Sequence, residues 1–211
     1  MYLSVGTRPD ISYPVSILSK FLEVPLREHW TAAKRILKYL KSTPNLGIVY
    51  NRMTSKPNQL IAYSDADYAS CLDTRKSTSG VILMLNDGPI IWSSRKHIVA
   101  TSTTDAEYVA AYDATKEVVW SRQLLKDIGV EQFEPTTLFC DNAATQKLIE
   151  NPIFHRKSKH VDIKFHYTRE LVKQKQIKIQ HVSTQSQLAD ILTKPLARGK
   201  FEINPNQLNL M

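Results

Sequence analysis

Residues 105 to 128 carry one uninterrupted helical pattern, in which Ala106, Ala110, Ala114, Val118, Leu125 and Ile128 keep helical spacing and Gly129 follows as a stop. A long helix with a single apolar stripe has to be buried against another element, and the flanking segments supply strands. Before it come Leu60 to Ser64, Val81 to Leu85 and Pro89 to Ser93, with Asn86-Asp87-Gly88 as a hairpin turn between the second and third. After it come a strand from Thr137 to Cys140, a short helix from Ala143, and a basic segment from His155 to Lys175. Alternation at Ile177 and Ile179, an apolar Val182 and a last helix from Gln187 to Leu192 complete the pattern. The order β-β-β-α-β-α with further helix predicts an α/β fold, a mixed sheet covered by helices.

Ahead of this unit, Ile11, Val15, Leu18 and Leu22 form one helical stripe and Trp30, Ala33, Ile36, Leu37 and Leu40 another, separated by Pro25. Ile48-Val49-Tyr50 reads as a short strand, and the polar stretch from Asn51 to Asn58 reads as a boundary. The expected division is therefore 1–56 as an appendage, 57–197 as the main domain and 198–211 as a C-terminal tail.

The chain of 211 residues has a formal charge of +8, which favours an anionic partner such as nucleic acid. Two cysteines, Cys71 and Cys140, give neither a CxxC pair nor a disulfide scaffold, pointing to a reducing compartment and to no zinc site. No apolar run approaches a membrane span, and Arg8, Pro9, Asp10 and Lys20 interrupt anything like a leader. The expectation is a soluble protein of the cytoplasm or the nucleus, with no membrane partner.

Two carboxylates close predicted strands. Asp65 follows Leu60-Ile61-Ala62-Tyr63-Ser64, and Asp141 follows Thr137-Leu138-Phe139-Cys140. Ligand crevices of open α/β sheets lie outside such strand ends. If the strands are neighbours, the carboxylates converge and need a divalent cation or a shared proton to relieve their repulsion. Oxygen-only ligands suit Mg²⁺ or Mn²⁺. Glu107 at the start of the long helix and Asp190 in the first turn of the last can reach the same crevice. Each also has a purely structural reading: Thr104-Asp105-Ala106-Glu107 is a capping box, and Asp190 suits a helix N-terminus. Trp92 and Trp120 read as core.

Several strings resemble the copia family of LTR retrotransposon Pol polyproteins: Tyr63-Ser64-Asp65-Ala66-Asp67-Tyr68-Ala69, Arg75-Lys76-Ser77-Thr78-Ser79-Gly80, Trp92-Ser93-Ser94-Arg95-Lys96 and Asp105-Ala106-Glu107-Tyr108. Cys140-Asp141-Asn142, Lys159-His160-Val161-Asp162-Ile163-Lys164-Phe165-His166 and Leu188-Ala189-Asp190-Ile191-Leu192-Thr193-Lys194 continue the series in the family's order. Upstream, Thr7-Arg8-Pro9-Asp10-Ile11 and Arg35-Ile36-Leu37-Lys38-Tyr39-Leu40-Lys41 are similar to the stretch between polymerase and ribonuclease H. Tyr68 and Ser70 depart from the family's usual Trp and Gly. No tyrosine closely followed by paired aspartates occurs, so the polymerase's own metal site is absent from this stretch.

The resemblance implies a ribonuclease H-like mixed five-stranded sheet, preceded by a small helical segment that is a remnant of the reverse-transcriptase thumb or connection. It implies metal-dependent hydrolysis of the RNA strand of an RNA–DNA hybrid, with two Mg²⁺ (or Mn²⁺) ions as cofactors. Asp65, Glu107, Asp141 and Asp190 are the implied metal ligands, Asp65 bridging, Glu107 and Asp141 on the leaving-group side, Asp190 on the water side. His160, or His155, is the implied aid to proton transfer or product departure. Tests for the 2′-hydroxyl fall to Ser77, Thr78, Ser79 and Asn142. From Arg156 to Lys178 eight Lys/Arg stand against two acids, so Arg156, Lys157 and Lys159 belong to a phosphate-tracking surface. The expected partners are the hybrid and the remaining reverse-transcriptase part of the polyprotein, Met1 falling inside what would be a longer reading frame. The alternative is a truncated or host-retained fragment that binds nucleic acid without catalysis.

Overall fold

A computed structural model of the chain describes residues 1–51, 53–54, 57–71, 73–96, 100–150 and 159–211, and for 159–165 the backbone alone. Helices α1 (Tyr2–Gly6), α2 (Ser12–Ser19) and α3 (Arg27–Ser42) precede strands β1 (Ile61–Asp67), β2 (Thr78–Leu85) and β3 (Gly88–Lys96). Then follow α4 (Thr103–Asp127), β4 (Thr136–Cys140), α5 (Ala143–Glu150), α6 (Lys159–Lys173), β5 (Ile177–His181), a 3₁₀ turn at Leu188–Leu192 and α7 (Arg198–Gln207).

The five strands form one sheet in the order β3-β2-β1-β4-β5. β1, β2 and β3 are antiparallel neighbours, while β4 runs parallel to β1 and β5 parallel to β4. This is the mixed five-stranded, helix-flanked α/β sheet that the resemblance implies. The β2–β3 hairpin closes through Asn86 (φ 50°) and Asp87 (φ 64°), the two left-handed residues of a type I′ turn, which residues of this kind tolerate best after glycine.

Side chains of β2 alternate between two cores, because successive strand residues point to opposite faces. Val81 and Leu83 join Tyr108, Ala114, Val118 and Leu138 beneath α4. Ile82 and Met84 join Leu188, Leu192, Leu208 and Leu210 on the other face. The second core is why residues 198–211 are more than a tail: α7 and the fully buried Leu208 and Leu210 cover a sheet face that would otherwise be wet. Ile48-Val49-Tyr50 forms no strand of its own; Ile48 makes a single bridge to Leu210, and Gly47 and Met211 exchange backbone hydrogen bonds.

The N-terminal helices lie on β3. Ser16 Oγ donates to Ser94 O at 3.3 Å and Trp92 Nε1 to Ser4 O at 2.7 Å. A buried ion pair, Arg8 to Asp10 at 2.8 Å, organises them: Arg8 also donates to Thr43 O and Tyr39 Oη donates to Asp10 Oδ2 at 2.6 Å. Trp120, read as core in the sequence, is 57 % exposed, because it lies off the face of α4 that Ala114 and Val118 turn to the sheet. Among the described residues no helix is long and apolar enough to cross a membrane.

Gly80 on β2 faces the 188–192 turn at the closest approach of the two. A Cβ there would stand 2.8 Å from Ala189 O and 2.9 Å from Leu192 Cβ, closer than packed atoms allow. Gly80 therefore lets the turn that carries Asp190 seat on the sheet. Strand propensity alone favours alanine over glycine, so Gly80→Ala separates the two effects: overpacking should cost about 1–3 kcal/mol, seen as a lower denaturant midpoint, and equal or greater stability would contradict this packing.

Candidate active site

Parallel pairing of β1 and β4 in the register Ile61↔Thr137, Ala62↔Leu138, Tyr63↔Phe139 brings the carboxyl ends of the strands together, with Asp65 and Asp141 beside each other when the register is continued. The condition that the sequence left open, whether the two strands are neighbours, is met. Asp190 comes from the 188–192 turn, which seats against β1 and β2. Gln187, fully buried, pins its turn by donating from Nε2 to Ser64 O at 2.9 Å and accepting from Ala189 N at 3.2 Å. Carboxylate oxygens of Asp65, Asp141 and Asp190 consequently lie within 4.8 Å of one another. Glu107, Cys140 and Asp141 form a second such group, so Asp141 belongs to both.

Glu107 is buried and points inward from the first turns of α4. It does not cap the helix. Ser102 does, its Oγ accepting from Asp105 N at 3.1 Å, which sets the capping-box reading aside. Burial first, and then the charges of Asp65 and Asp141, push the Glu107 carboxyl up to about 9. Burial likewise raises Asp65, against the pull of Lys194.

The negative charge is balanced by two lysines that the sequence reading did not select. Lys194 Nζ is 2.7 Å from Asp190 Oδ1 and 3.6 Å from Asp65 Oδ2, and Lys200, from α7, pairs with Asp190 Oδ2. Thr193 Oγ1 donates to Asp65, and Thr184 Oγ1 donates to Asp141 Oδ2 at 3.0 Å. The missed signal was spacing: Lys194 is four residues past Asp190, one turn on, but among 28 basic residues such a pair does not stand out. Lys200 had no signal, since only α7 brings it there.

The donor set fits a hard cation. Asp65, Asp141, Asp190 and Glu107 offer oxygen alone, as Mg²⁺ and Mn²⁺ prefer. Cys140 adds no thiolate, because burial and the neighbouring carboxylates raise its thiol far above the ordinary range and keep it protonated.

Other candidates fall differently. Ser77, Thr78 and Ser79 are buried; Ser77 Oγ accepts from Ala69 N at 3.1 Å and Thr78 Oγ1 pairs with Ser70 Oγ, so these two hydroxyls hold the loop after β1. Asn142 caps α5, its Oδ1 accepting from Thr145 N at 3.0 Å. His155, Arg156 and Lys157 lie outside the described residues, and Lys159 and His160 are on α6 where the backbone alone is described.

No protein-family model matches the chain. It is 44 % identical over 197 residues to the retrovirus-related Pol polyprotein from transposon RE1 of Arabidopsis thaliana, matching 93 % of this chain and 13 % of that protein. Against the corresponding polyprotein from transposon TNT 1-94 of Nicotiana tabacum it is 40 % identical over 204 residues, 96 % of this chain and 15 % of that one. The chain belongs to the copia-type retrotransposon Pol polyproteins. It spans a small part of their length. It is also 46 % identical over 121 residues to secreted RxLR effector protein 161 of Plasmopara viticola, 57 % of this chain and 84 % of that protein. Among solved structures it is similar to LC11-RNase H1 in complex with an RNA/DNA hybrid, with a TM-score of 0.47, 16 % identity and coverage of 64 % of this chain and 94 % of that one. It is similar as well to the foamy viral protease-reverse transcriptase in complex with an RNA/DNA hybrid, with a TM-score of 0.49, 17 % identity and coverage of 81 % and 26 %.

An acid held above its ordinary range binds protons more tightly in the folded chain than in the unfolded one, so stability falls as pH rises between the two values. In EDTA the protein should therefore lose stability from roughly pH 5 to 9, the window set by Glu107. Glu107→Gln should flatten that slope, and Mg²⁺ should raise the melting temperature most at the alkaline end. Melting curves in which the two proteins show the same pH slope would contradict this account of the charge.

Proposed function

We propose that this segment is the ribonuclease H unit of a copia-type polyprotein and hydrolyses the RNA strand of RNA–DNA hybrids. The observation that supports it is the convergence of Asp65, Glu107, Asp141 and Asp190 from β1, α4, β4 and the 188–192 turn upon one crevice at the carboxyl end of the sheet. In this reading residues 57–197 carry the chemistry, 1–56 are the end of the reverse-transcriptase region and 198–211 complete the fold.

Asp65, Glu107, Asp141 and Asp190 would hold two Mg²⁺ or Mn²⁺ ions. Bound there, such ions supply an activated water and stabilise the leaving 3′-oxygen of an in-line displacement. The chain's own residues do the positioning. Asp65, two residues before the end of the central strand β1, accepts a hydrogen bond from Thr193 Oγ1, which orients its carboxylate. Gln187 and Gly80 hold the turn of Asp190 on β1 and β2. Burial of Glu107 and Asp65 keeps bulk water from screening them, which strengthens their attraction for a cation. Lys194 limits the repulsion between Asp65 and Asp190.

The substrate side rests on charge. Arg156, Lys157 and Lys159 belong to the run that would follow phosphates, and His160, on α6, would aid proton transfer or product departure. Asn142, beside Asp141, retains its side-chain amide as a donor toward a minor-groove 2′-hydroxyl.

A labelled RNA–DNA hybrid incubated with the chain in Mg²⁺ or Mn²⁺ tests this reading. RNA-strand cleavage is expected, with duplex DNA left intact, and Asp65→Asn or Asp141→Asn should each lower the rate by more than about 100-fold. A folded wild-type chain that binds the hybrid without cutting it would replace the proposal by a non-catalytic nucleic-acid-binding fragment.

A further inference from the structure

Helix α3 has no buried residue, and its charges are sorted. Arg27, Lys34, Lys38 and Lys41 recur at intervals of seven, four and three, which places them on one helical face, with Arg35 at its edge. All five are exposed, and among the described residues none is ion-paired. The opposite side, with Ala33, Ile36 and Leu40, shares an apolar cleft with Val15 and Leu18 of α2. The basic face is thus directed to solvent by the way α3 seats on α2.

Its position matters as much as its charge. Phe21 stacks on His29 with ring centroids 3.9 Å apart, tying the start of α3 to the end of α2. There Lys20 lies within electrostatic reach of Lys96, Cys71 and Asp73, and Tyr13 within reach of Asp67, two residues from Asp65. A cationic row therefore starts beside the carboxyl end of β1, at Lys96 and Lys20, and continues through Arg27 along α3. From Arg27 to Lys41 the rise is roughly 21 Å at 1.5 Å per residue. That length faces about six phosphates of one strand at about 3.4 Å each.

We propose that the basic face of α3 is a second nucleic-acid contact, binding the phosphodiester backbone of a duplex that extends beyond the carboxylate crevice. The inference rests on the nucleic-acid reading of the chain, but not on its catalysis. Phosphates are the partner that suits the face, because its cations are spaced along one line and outnumber the one acid of the helix, Glu28, which shares a cleft with Arg27 and Arg35. The site takes hybrid or duplex DNA alike, since phosphate contacts carry no base information.

Fluorescence anisotropy in EDTA, with a labelled hybrid of about 30 base pairs that covers many phosphates, tests it on the full chain. Lys34→Gln/Lys38→Gln/Lys41→Gln removes three charges with a good helix former, and a melting curve checks folding. Lys116→Gln/Lys126→Gln/Arg198→Gln removes the same net charge elsewhere. The α3 variant should bind about tenfold or more weakly, with the slope of log K against log salt shallower by about 3, while the control stays near wild type. Equal loss in both variants, or none in the α3 variant, overturns the proposal. So does loss by the α3 variant of binding to phosphatidylserine vesicles alone, which would make the face a membrane contact. A wild-type chain that cuts no hybrid, yet shows the α3-dependent slope, would sink the catalytic reading and leave this one standing.

Discussion

Converging carboxylates in a buried crevice are the constraint around which the rest of the fold is arranged. Asp65 and Asp190 are almost wholly excluded from water, Glu107 nearly so, and removing such charge from water costs several kcal/mol per ion unless it is matched. Two lysines and two threonine hydroxyls supply the match for the aspartates, from segments far apart in sequence, and Glu107, pushed up to about 9, is relieved by keeping its proton. The central strands bring two acids, α4 brings the third, and the C-terminal third of the chain returns across the sheet to bring Asp190 together with its counter-charges. A fold of this size could be stable without such an arrangement. Its persistence here is what ties structure to chemistry.

Much of this was legible locally. Hydrophobic alternation marked the strands, Asn86-Asp87-Gly88 marked a type I′ hairpin through residues that tolerate a left-handed backbone, and the alanine stripe marked the face of α4. Asp65 and Asp141 could be nominated because strand ends are visible in a sequence. What escaped depended on contacts between distant segments. α7 carries Gly199 and Pro205 and has little amphipathic character, so nothing in it announces a helix, yet Leu208 and Leu210 complete a core begun at Ile82. Ser77, Thr78 and Ser79, offered by the resemblance to a 2′-hydroxyl, are buried, and two of them hold the loop after β1. Glu107 could be read as a helix cap until Ser102 was seen to occupy that role.

The segments on either side of the expected 57–197 unit are not loosely attached. Arg8, Asp10, Tyr39 and Thr43 make a buried network that fixes the N-terminal helices to one another, and Tyr39 meets the ring of Phe201 on α7 edge-on at 5.6 Å. Ile48 and Leu210 bridge the two ends across the same face. The N-terminal helices thus touch α7, the helix that also carries Lys200 to Asp190.

The central claim, that the crevice is a divalent-cation site, is tested most directly by equilibrium Mn²⁺ binding followed by electron paramagnetic resonance. The account expects Mn²⁺ to be taken up by the wild-type chain, displaced by Mg²⁺, and bound far more weakly after Asp65→Asn with the fold intact. Uptake that is the same in Asp65→Asn, or is absent from a folded wild-type chain at millimolar metal, would show that these carboxylates are balanced by Lys194 and Lys200 for structure alone.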